Sequence, residues 1–468
     1  MTRPKKIFLT TVALLLTAGL GCKGASPELA RATKPVALSI WGVFDDQDAY
    51  DQVINDYRVS HPYVQIQYRK LRPEEYEQEL LNALAEDRGP DILMLRNSSP
   101  RAWQTKLEPM PRQVTVAELV TQGTVKKEQV FELHQKNTPS LRGLQAVFPD
   151  QVIRDAVLEV EEQTGPTAVE KVKRIYGLPL SIDTLALYWN RDLLNAKGIA
   201  EPPTDWTAIQ QAVKKLTKLE GTEVVQSGVA AGTAKNVERP TDILSLLMMQ
   251  NGTLMTDEGG SVAFNTRPPG AAEREFPPGI EALVFYTDFA NPTKEVYNWN
   301  DSLPNSLDAF VAGKSAMFIG YQYHLPLIRA RAPKLKFGVA PAPQIAGNPE
   351  VNFANYWLYA VSKKSKNKEL AWDFLISLAS EKEAKKYLAA TGKPTALRSL
   401  IQDQIEDVNL GVFAGQILTA QSWYRGYDVA AAEQAFKDLI DQTLAGGKPE
   451  DIMSVAASRV QQTLTPKQ

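Results

Sequence analysis

Short apolar runs alternate with amphipathic stretches over residues 36–95. Apolar residues dominate 36–43 and 91–95 and alternate with polar ones over 64–68, which is typical of strands. Between them, 50–57 and 76–84 repeat apolar residues every three or four positions, which predicts two helices. Because strands alternating with helices favour a parallel sheet covered on both faces, this part of the chain predicts an α/β unit.

Residues 176–190 contain two apolar, strand-like runs separated by the polar pair Asp183–Thr184. Pro179 opposes a helix at its own position and favours extended geometry just before it. A nearly all-apolar strand with one polar interruption predicts that the chain crosses here from one buried sheet to another. The extended apolar run at 355–362 has the same character. We therefore predict an α/β protein in which the chain crosses between two sheets at these places.

The segment 100–173 is punctuated by prolines and is expected to continue the first unit as helices and loops. Within it, 116–119 and 152–162 are predicted to be helical. Near the C-terminus, the patterns over 429–444 and 449–464 predict two further helices.

The N-terminus differs from the rest of the chain. Basic residues precede the apolar run 7–20, which is short for a membrane span and predicts a signal peptide over 1–21. Cys22 follows a small residue just beyond this run and resembles the lipobox cysteine of bacterial lipoproteins. The resemblance implies that Cys22 is lipidated and that 22–35 tether the protein to the extracytoplasmic face of the cell membrane. The alternative is ordinary signal cleavage that leaves a free thiol.

Charge and cysteine content exclude several classes of function. The 468-residue chain has 52 basic and 54 acidic residues, and no stretch concentrates the basic ones as nucleic-acid binding requires. Cys22 is the only cysteine, which excludes an intrachain disulfide and a cysteine-based zinc site.

Patterns typical of catalysis are equally sparse. His61, His134 and His324 are the only histidines and lie far apart in sequence, and no Gly-x-Ser-x-Gly elbow occurs. Glycine patterns that bind phosphates or dinucleotides are absent as well. Acidic pairs such as Asp45 and Asp46 are common, but most are expected on solvated faces rather than at the fixed separation of a glycosidase. We therefore expect a protein that is not an enzyme and that uses neither a metal nor a cofactor.

Aromatic, amide and charged residues recur where predicted strands end and loops begin. In open α/β sheets, ligands bind where such loops converge, beyond the carboxyl ends of the strands. Aromatic rings stack on the apolar face of a pyranose, and Asp, Asn and Arg side chains hydrogen-bond its hydroxyl groups. For each aromatic residue the alternative is packing in the core, and for Asp183 it is capping of a turn. The ligand-binding candidates are Trp41, Asp45, Asn97, Asp183, Arg239, Trp299, Tyr321, Tyr323, Trp357, Trp423 and Arg425.

A series of short motifs resembles the bacterial extracellular solute-binding proteins of family 1, which include maltose-binding protein. One departure follows Gly320, because the family usually has Trp two residues later and this chain has Gln322, flanked by Tyr321 and Tyr323. The motifs are Leu38-Ser-Ile-Trp41, Pro90-Asp-Ile-Leu93, Tyr176-Gly-Leu-Pro179, Asp183-Thr184, Tyr188-Trp-Asn190, Pro203-Thr-Asp-Trp206, Phe310-Val-Ala-Gly-Lys-Ser-Ala-Met317 and the run from Ala360 to Phe374.

The resemblance implies a two-lobed, type II-like periplasmic-binding-protein fold with crossing strands between the lobes. Lobe 1 would be 36–183 plus 355–402, and lobe 2 would be 184–354 plus 403–468. The protein would be a monomer that binds an oligosaccharide or glycoside between its lobes and delivers it to an ABC permease. Three alternatives stay open: a non-sugar solute such as a polyamine, an amino-acid derivative or a peptide; an envelope enzyme that acts on glycans; and a purely structural lipoprotein.

Overall fold

The computed structural model describes residues 26–163 and 168–466, so the predicted signal peptide and Cys22, for which lipidation is predicted, lie outside the described residues. In chain order the strands are β1 (Val36–Gly42), β2 (Val64–Lys70), β3 (Ile92–Arg96), β4 (Leu107–Glu108), β5 (Gln113–Gln122), β6 (Glu128–Asn137), β7 (Val157–Gln163), β8 (Val169–Ile175), β9 (Leu178–Pro179), β10 (Asp183–Thr184), β11 (Ala186–Asn190), β12 (Lys218–Glu220), β13 (Glu223–Val229), β14 (Ser315–Gly320), β15 (Phe337–Pro341), β16 (Asn352–Asn355), β17 (Trp357–Ser362) and β18 (Ala420–Gln421). The helices are α1 (Pro27–Ala32), α2 (Asp48–Ser60), α3 (Pro73–Ala85), α4 (Pro100–Trp103), α5 (Leu141–Val147), α6 (Asp150–Ala156), α7 (Arg191–Asn195), α8 (Trp206–Leu216), α9 (Pro240–Gln250), α10 (Pro278–Asp288), α11 (Ser306–Val311), α12 (His324–Arg331), α13 (Lys368–Leu378), α14 (Glu381–Thr391), α15 (Arg398–Ile405), α16 (Gly411–Gln416), α17 (Val429–Leu444) and α18 (Pro449–Thr463).

Two sheets carry the two lobes. The first has the order β2-β1-β3-β17-β4, with β9 paired to β17, and β1 runs parallel to both β2 and β3 as the alternation of strands and helices predicted. The second has the order β12-β13-β14-β11-β15. Every residue of β11 is buried, which agrees with its nearly all-apolar sequence.

A third, three-stranded sheet lies where the chain passes between the lobes. Its order is β10-β16-β18, with Asp183 opposite Asn355 and Asn352 opposite Ala420. Each strand belongs to a different passage: β10 leads from β9 to β11, β16 leads into β17, and β18 precedes the C-terminal helices. The two predicted crossings are confirmed, and β18 is a third, a passage that the lobe ranges implied by the resemblance put at 402–403 without a strand of its own.

The buried apolar residues follow this division. One cluster draws its members from 38–182 and 354–420, and another draws its members from 185–353 and 424–460. The first cluster continues past residue 402 to Ala414, Ile417 and Ala420, whereas Phe413, next to Ala414 on α16, packs in a cluster with Tyr188 and Phe318 of the second lobe. The predicted residue boundaries of the lobes stay a prediction.

Two local predictions are wrong. Residues 116–119 belong to β5, which pairs with β6 over ten residue pairs, and 152–162 splits into α6 and β7, which pairs with β8. In both places the short apolar pattern is compatible with a helix or a strand, and pairing with a neighbouring strand decides for the strand. Residues 27–32, expected to be tether, form α1, whose first turn is capped by the Ser26 hydroxyl accepting from Leu29 N at 3.1 Å.

Asp155, on α6, ties the third crossing to the first lobe. Its side chain is fully buried and accepts hydrogen bonds from Asn97 Nδ2 at 3.1 Å, Gln151 Nε2 at 2.8 Å and Tyr356 OH at 2.6 Å. It also accepts from Ser422 Oγ and from Arg425 Nε, each at 2.9 Å. A buried carboxylate is tolerated when such partners replace its hydration.

We expect Asp155→Ala to lower the free energy of unfolding by about 3–5 kcal/mol, because it leaves the half-buried Arg425 without its partner. The matched control is Asp150→Ala at the start of the same helix, where the carboxylate is 80% exposed and pairs with Arg398. This substitution is expected to lower the free energy of unfolding by about 1 kcal/mol or less. Urea unfolding measures both, and equal losses would contradict a structural role for Asp155.

Candidate functional site

A cavity of about 580 Å³ lies between the lobes beside the three-stranded sheet, within the size range of pockets that enclose drug-sized ligands. The first lobe contributes the loops after β1 and β3 and the residues around β17. The second lobe contributes the first turns of α9, α12 and α17. The cavity therefore lies where strand ends and helix starts of both lobes converge, as ligand sites of open α/β sheets do.

Aromatic side chains line both walls of the cavity. Trp357 meets the ring of Phe44 edge to face at 5.3 Å, and Phe44 is 46% exposed. Tyr323, 42% exposed, faces the cavity from the second lobe. Trp423 borders it too, with its indole Nε1 donating to Ser245 Oγ at 3.0 Å. These rings offer flat apolar surfaces to a ligand from two sides.

A chain of charged groups crosses one part of the cavity wall. Arg239 donates to both carboxylate oxygens of Asp242 at 2.8 and 3.0 Å and to Glu433 at 3.1 Å. Glu433 also lies 3.7 Å from Arg96 of the first lobe. The charge of Asp242 raises the pKa of Arg239 well above its ordinary value, so this guanidinium stays charged. Tyr321 OH donates to Asp242 at 2.6 Å and holds the carboxylate from behind.

The backbone of Arg239 is left-handed, with φ of 50°, a conformation that a non-glycine residue adopts at a free-energy cost of about 1–3 kcal/mol. It immediately precedes α9, which begins with Pro240. This geometry brings the guanidinium over the first turn of its own helix to Asp242, three residues on. Strain of this kind collects at ligand sites.

A second ionic group lies where the first lobe meets the second. Lys393 Nζ donates to Asp45 Oδ1, and Tyr387 OH donates to Asp45 Oδ2 at 2.7 Å. The preceding residue, Gly392, ends α14 in the left-handed region that favours glycine, with φ of 63°. Its carbonyl accepts from Gln322 Nε2 of the second lobe at 2.8 Å.

Each cation of the described wall has a carboxylate partner: Arg96 lies near Glu433, Arg239 binds Asp242, and Lys393 binds Asp45. The cations of the wall are thus all paired, and the further lining carboxylate, Asp183, accepts hydrogen bonds from backbone N–H groups. A cationic or anionic ligand would have to compete with these pairs, whereas an uncharged ligand that donates and accepts hydrogen bonds would not.

Asp183 caps the turn just before α12 and borders the cavity as well. Its carboxylate accepts from Gln322 N at 2.9 Å, from Thr184 N at 2.8 Å and more weakly from Tyr323 N at 3.4 Å. Burial raises the pKa of Asp183 to about 7, although these three N–H groups and the charge of Lys393 act in the opposite direction. Of the two roles predicted for Asp183, capping is confirmed, and binding of a ligand stays a prediction.

The structure brings six of the eleven predicted residues to the cavity: Asn97, Asp183, Arg239, Tyr323, Trp357 and Trp423. Two others support that wall from behind, because Asp45 holds Lys393 and Tyr387 while Tyr321 holds Asp242. Arg425 lies behind the wall and binds Asp155.

Two predicted site residues lie elsewhere. Trp299 is a correction: its side chain is fully buried in the second lobe and donates to Asn236 Oδ1 at 3.0 Å, so a ligand cannot reach it. Trp41 is absent from the described lining of the cavity, and the Arg69 guanidinium lies 4.6 Å from its ring centroid.

Sequence reasoning missed the charged residues Arg96, Asp242, Lys393 and Glu433. Arg96 ends β3, and Asp242 and Glu433 lie near the starts of α9 and α17, positions that helix-start and strand-end rules could have selected. Which of many such residues face a cavity depends on tertiary packing, which those rules do not describe.

The described residues include no group of three or more His, Cys, Asp or Glu side chains placed to hold a metal ion. None of their helices has the length and apolar character of a membrane span.

The sequence profile of the bacterial extracellular solute-binding proteins matches residues 41–385, well over half of the chain. The chain belongs to this family. Solute-binding proteins capture ligands rather than convert them, which agrees with the expectation that the chain is not an enzyme.

Two curated relatives illustrate how far the similarity extends. A putative binding protein of Brucella abortus is 28% identical over 208 residues, 43% of this chain and 46% of that protein. The galactooligosaccharide-binding protein of Bacillus subtilis is 22% identical over 286 residues, 61% of this chain and 58% of its own. The chain spans about half the length of the curated relatives it matches.

The fold of this chain is similar to that of solved structures over nearly the full length of both chains. A cyclo/maltodextrin-binding protein complexed with maltotetraose has a TM-score of 0.67 at 16% identity, covering 92% of this chain and 97% of its own. The cyclic α-maltosyl-1,6-maltose binding protein from Arthrobacter globiformis has a TM-score of 0.66 at 18% identity, covering 92% and 99%. The predicted two-lobed periplasmic-binding-protein fold is confirmed.

The raised pKa of Asp183 predicts a pH dependence of stability. Between about pH 4, near the pKa of an unfolded aspartate, and pH 7, the folded protein binds a proton that the unfolded chain releases. This group therefore contributes less stability as pH rises through that window. We expect Asp183→Asn to be less destabilising, relative to the unaltered protein, at pH 8 than at pH 5.

Urea unfolding at the two pH values measures this difference. The matched control is Asp407→Asn, since Asp407 is an exposed aspartate that likewise accepts from two backbone N–H groups, those of Asn409 and Leu410. An effect of Asp183→Asn that is the same at both pH values, or larger at pH 8, would contradict the prediction.

Proposed function

We propose that this solute-binding protein captures an uncharged carbohydrate between its lobes and presents it to the transmembrane subunits of an ABC importer. The observation that carries the proposal is the interlobe cavity, in which aromatic rings flank paired charges. Aromatic faces suit the apolar C–H surface of a pyranose, and the charged groups supply strong hydrogen bonds to hydroxyl groups.

The pairing of charges on the cavity wall favours a sugar over the alternative, charged solutes. A polyamine calls for carboxylates without partners, yet Asp242 and Glu433 both accept from Arg239, and Asp183 accepts from three backbone N–H groups. An amino-acid derivative or a peptide calls for a cation free to bind a carboxylate, and Lys393 is turned toward Asp45. A sugar requires neither, because its hydroxyl groups can join existing ionic networks as donors and acceptors.

The relatives support the same ligand class. The Bacillus subtilis relative is a galactooligosaccharide-binding protein, and a Streptococcus mutans relative is a multiple sugar-binding protein. Structures that share the fold contain maltotetraose in one case and α-D-tagatose in another. Delivery to a permease and a monomeric state are properties of the family that we extend to this chain.

We further propose that Cys22 carries a lipid that holds the protein on the extracytoplasmic face of the membrane. The support is the signal-like sequence 1–21 and the position of the cysteine just after it. Fatty-acid labelling of the protein and of Cys22→Ser tests this assignment, since label on both or on neither contradicts it.

Ligand class can be tested by thermal shift against mono- and oligosaccharides, polyamines and short peptides. A ligand at a hundred times its Kd adds about 2.7 kcal/mol to stability, which gives a clear rise in melting temperature. We expect sugars to raise it and the charged solutes to leave it unchanged. A shift with a polyamine or a peptide and with no sugar would reject the proposal.

Trp357→Ala is expected to weaken binding of the sugar selected in that screen at least tenfold, because one wall of the cavity loses its stacking surface. The matched control is Trp41→Ala, which removes a partly buried tryptophan outside the described lining of the cavity. Calorimetric titration compares them. Equal weakening by the two changes would show that loss of an indole acts through general stability rather than through ligand contact.

A further inference from the structure

Along both walls of the interlobe cavity, the side chains change from apolar at one end to charged at the other. On the first lobe, Phe44 lies beside Trp357 with ring centroids 5.3 Å apart, and the Arg96 guanidinium lies 5.8 Å from the Trp357 ring on its way to Glu433. This wall therefore runs from an apolar ring through an aromatic centre to a charged end.

The second wall repeats this order. Tyr323 and Leu327 are four residues apart at the start of α12 and so lie on one face of the helix. Tyr323 stacks on Tyr321 at 5.6 Å, and Tyr321 binds Asp242, which leads to Arg239 and Glu433.

The lobes approach each other at both ends of these walls. Arg96 and Glu433 come within 3.7 Å at the charged end. At the other end, Gln322 donates to the Gly392 carbonyl, and the Lys393 ammonium lies 5.8 Å from the Phe44 ring. Phe44 and the start of α12 thus face the same part of the cavity. The charged side chains at this end are already engaged: Lys393 donates to Asp45 and Tyr387, and the Asp183 carboxylate accepts from the backbone N–H groups of Gln322 and Tyr323.

Three large apolar side chains remain exposed at this end although they belong to the cavity wall. Phe44 is 46% exposed, Tyr323 is 42% exposed and Leu327 is 46% exposed. Rings can stack on a sugar, but an aliphatic leucine gains little from hydroxyl groups and gains most from apolar surface. Exposed apolar patches rimmed by polar groups are typical of surfaces that bind apolar matter.

We propose that the natural ligand is a glycoside with an apolar aglycone, rather than a free oligosaccharide. Its sugar lies against Trp357 with hydroxyl groups toward Arg96, Arg239 and Glu433, and its aglycone lies against Phe44, Tyr323 and Leu327. The inference rests on the proposed function, which it narrows from carbohydrates to carbohydrates that carry an apolar substituent.

The test compares methyl and hexyl β-glycosides of glucose, galactose and maltose by calorimetric titration, below the concentration at which the hexyl compounds form micelles. Each fully buried methylene is worth about a fourfold gain in affinity, so burial of about two of the added methylenes gives a tenfold gain. We expect the hexyl compound of the preferred sugar to bind at least tenfold more tightly than its methyl partner. Equal affinity would overturn the inference and leave the proposed function standing.

Leu327→Ser and Phe44→Ser locate the effect. Leu327→Ser is expected to bring the hexyl-to-methyl ratio below about threefold while the affinity for the methyl glycoside stays within about twofold. Phe44→Ser is expected to lower the same ratio and also to weaken the methyl glycoside, because the Phe44 ring packs on Trp357. The matched control is Leu254→Ser, a leucine of similar exposure, 44%, that lies outside the described cavity lining and should leave the ratio intact.

The remaining outcomes also decide. Variants that weaken both glycosides equally would assign Phe44 and Leu327 to closure of the lobes and overturn the inference. If hexanol binds as tightly as the hexyl glycosides, the sugar contributes nothing to affinity. That result would reject the proposed function together with the inference. Binding of none of the glycosides, with a thermal shift from free oligosaccharides, would overturn the inference alone.

Discussion

The buried carboxylate of Asp155 is the interaction on which the relation between the two lobes depends. Taking a carboxylate out of water costs several kcal/mol unless other groups replace its hydration, and here five donors do so. Those donors come from different passages of the chain: Tyr356 belongs to the second crossing, and Ser422 and Arg425 follow the third. If any of these donors were out of place, the buried carboxylate would lack a hydrogen bond. This requirement constrains how the crossings pack against the first lobe.

Asp183 does for the first crossing what Asp155 does for the others. It lies on β10 opposite Asn355 of β16, and its carboxylate accepts from the backbone N–H groups of the turn just before α12. Hydrogen bonds therefore join β10 directly to the turn that carries Tyr323. Since Tyr323 borders the cavity, the first crossing is connected to one cavity wall. Hinges of domain-closing proteins are residues of this kind, at the ends of elements.

The parts of this protein that could be predicted from sequence are those fixed by local patterns. The βαβαβ start, the crossing at Asp183 and the crossing at Trp357 follow from apolar periodicity and from proline. The hairpins β5–β6 and β7–β8 could not be predicted, because strand pairing depends on a partner whose pattern is equally compatible with a helix. The third crossing is only two residues of strand, too short to leave a periodic signal.

Local sequence patterns are even less able to predict which residues form the site. Trp299 and Trp357 both adjoin loops and asparagines, yet one donates to a buried asparagine and the other faces the cavity. The pairing of Asp45 with Lys393 joins residues 348 positions apart, and the left-handed backbone of Arg239 breaks a local rule. Such features are decided by tertiary packing, and departures from local preference are expected at functional sites.

Ligand binding and lobe closure are linked through the few contacts that span the cavity. Arg96 and Glu433 are 46% and 26% exposed and 3.7 Å apart, so their attraction is worth about 1 kcal/mol or less. The hydrogen bond from Gln322 to Gly392 adds a similar amount. A ligand can favour the closed arrangement only by binding it more tightly than the open one. A molecule that touches Trp357 on one wall and Tyr323 on the other at once meets this requirement, whereas one confined to a single wall does not.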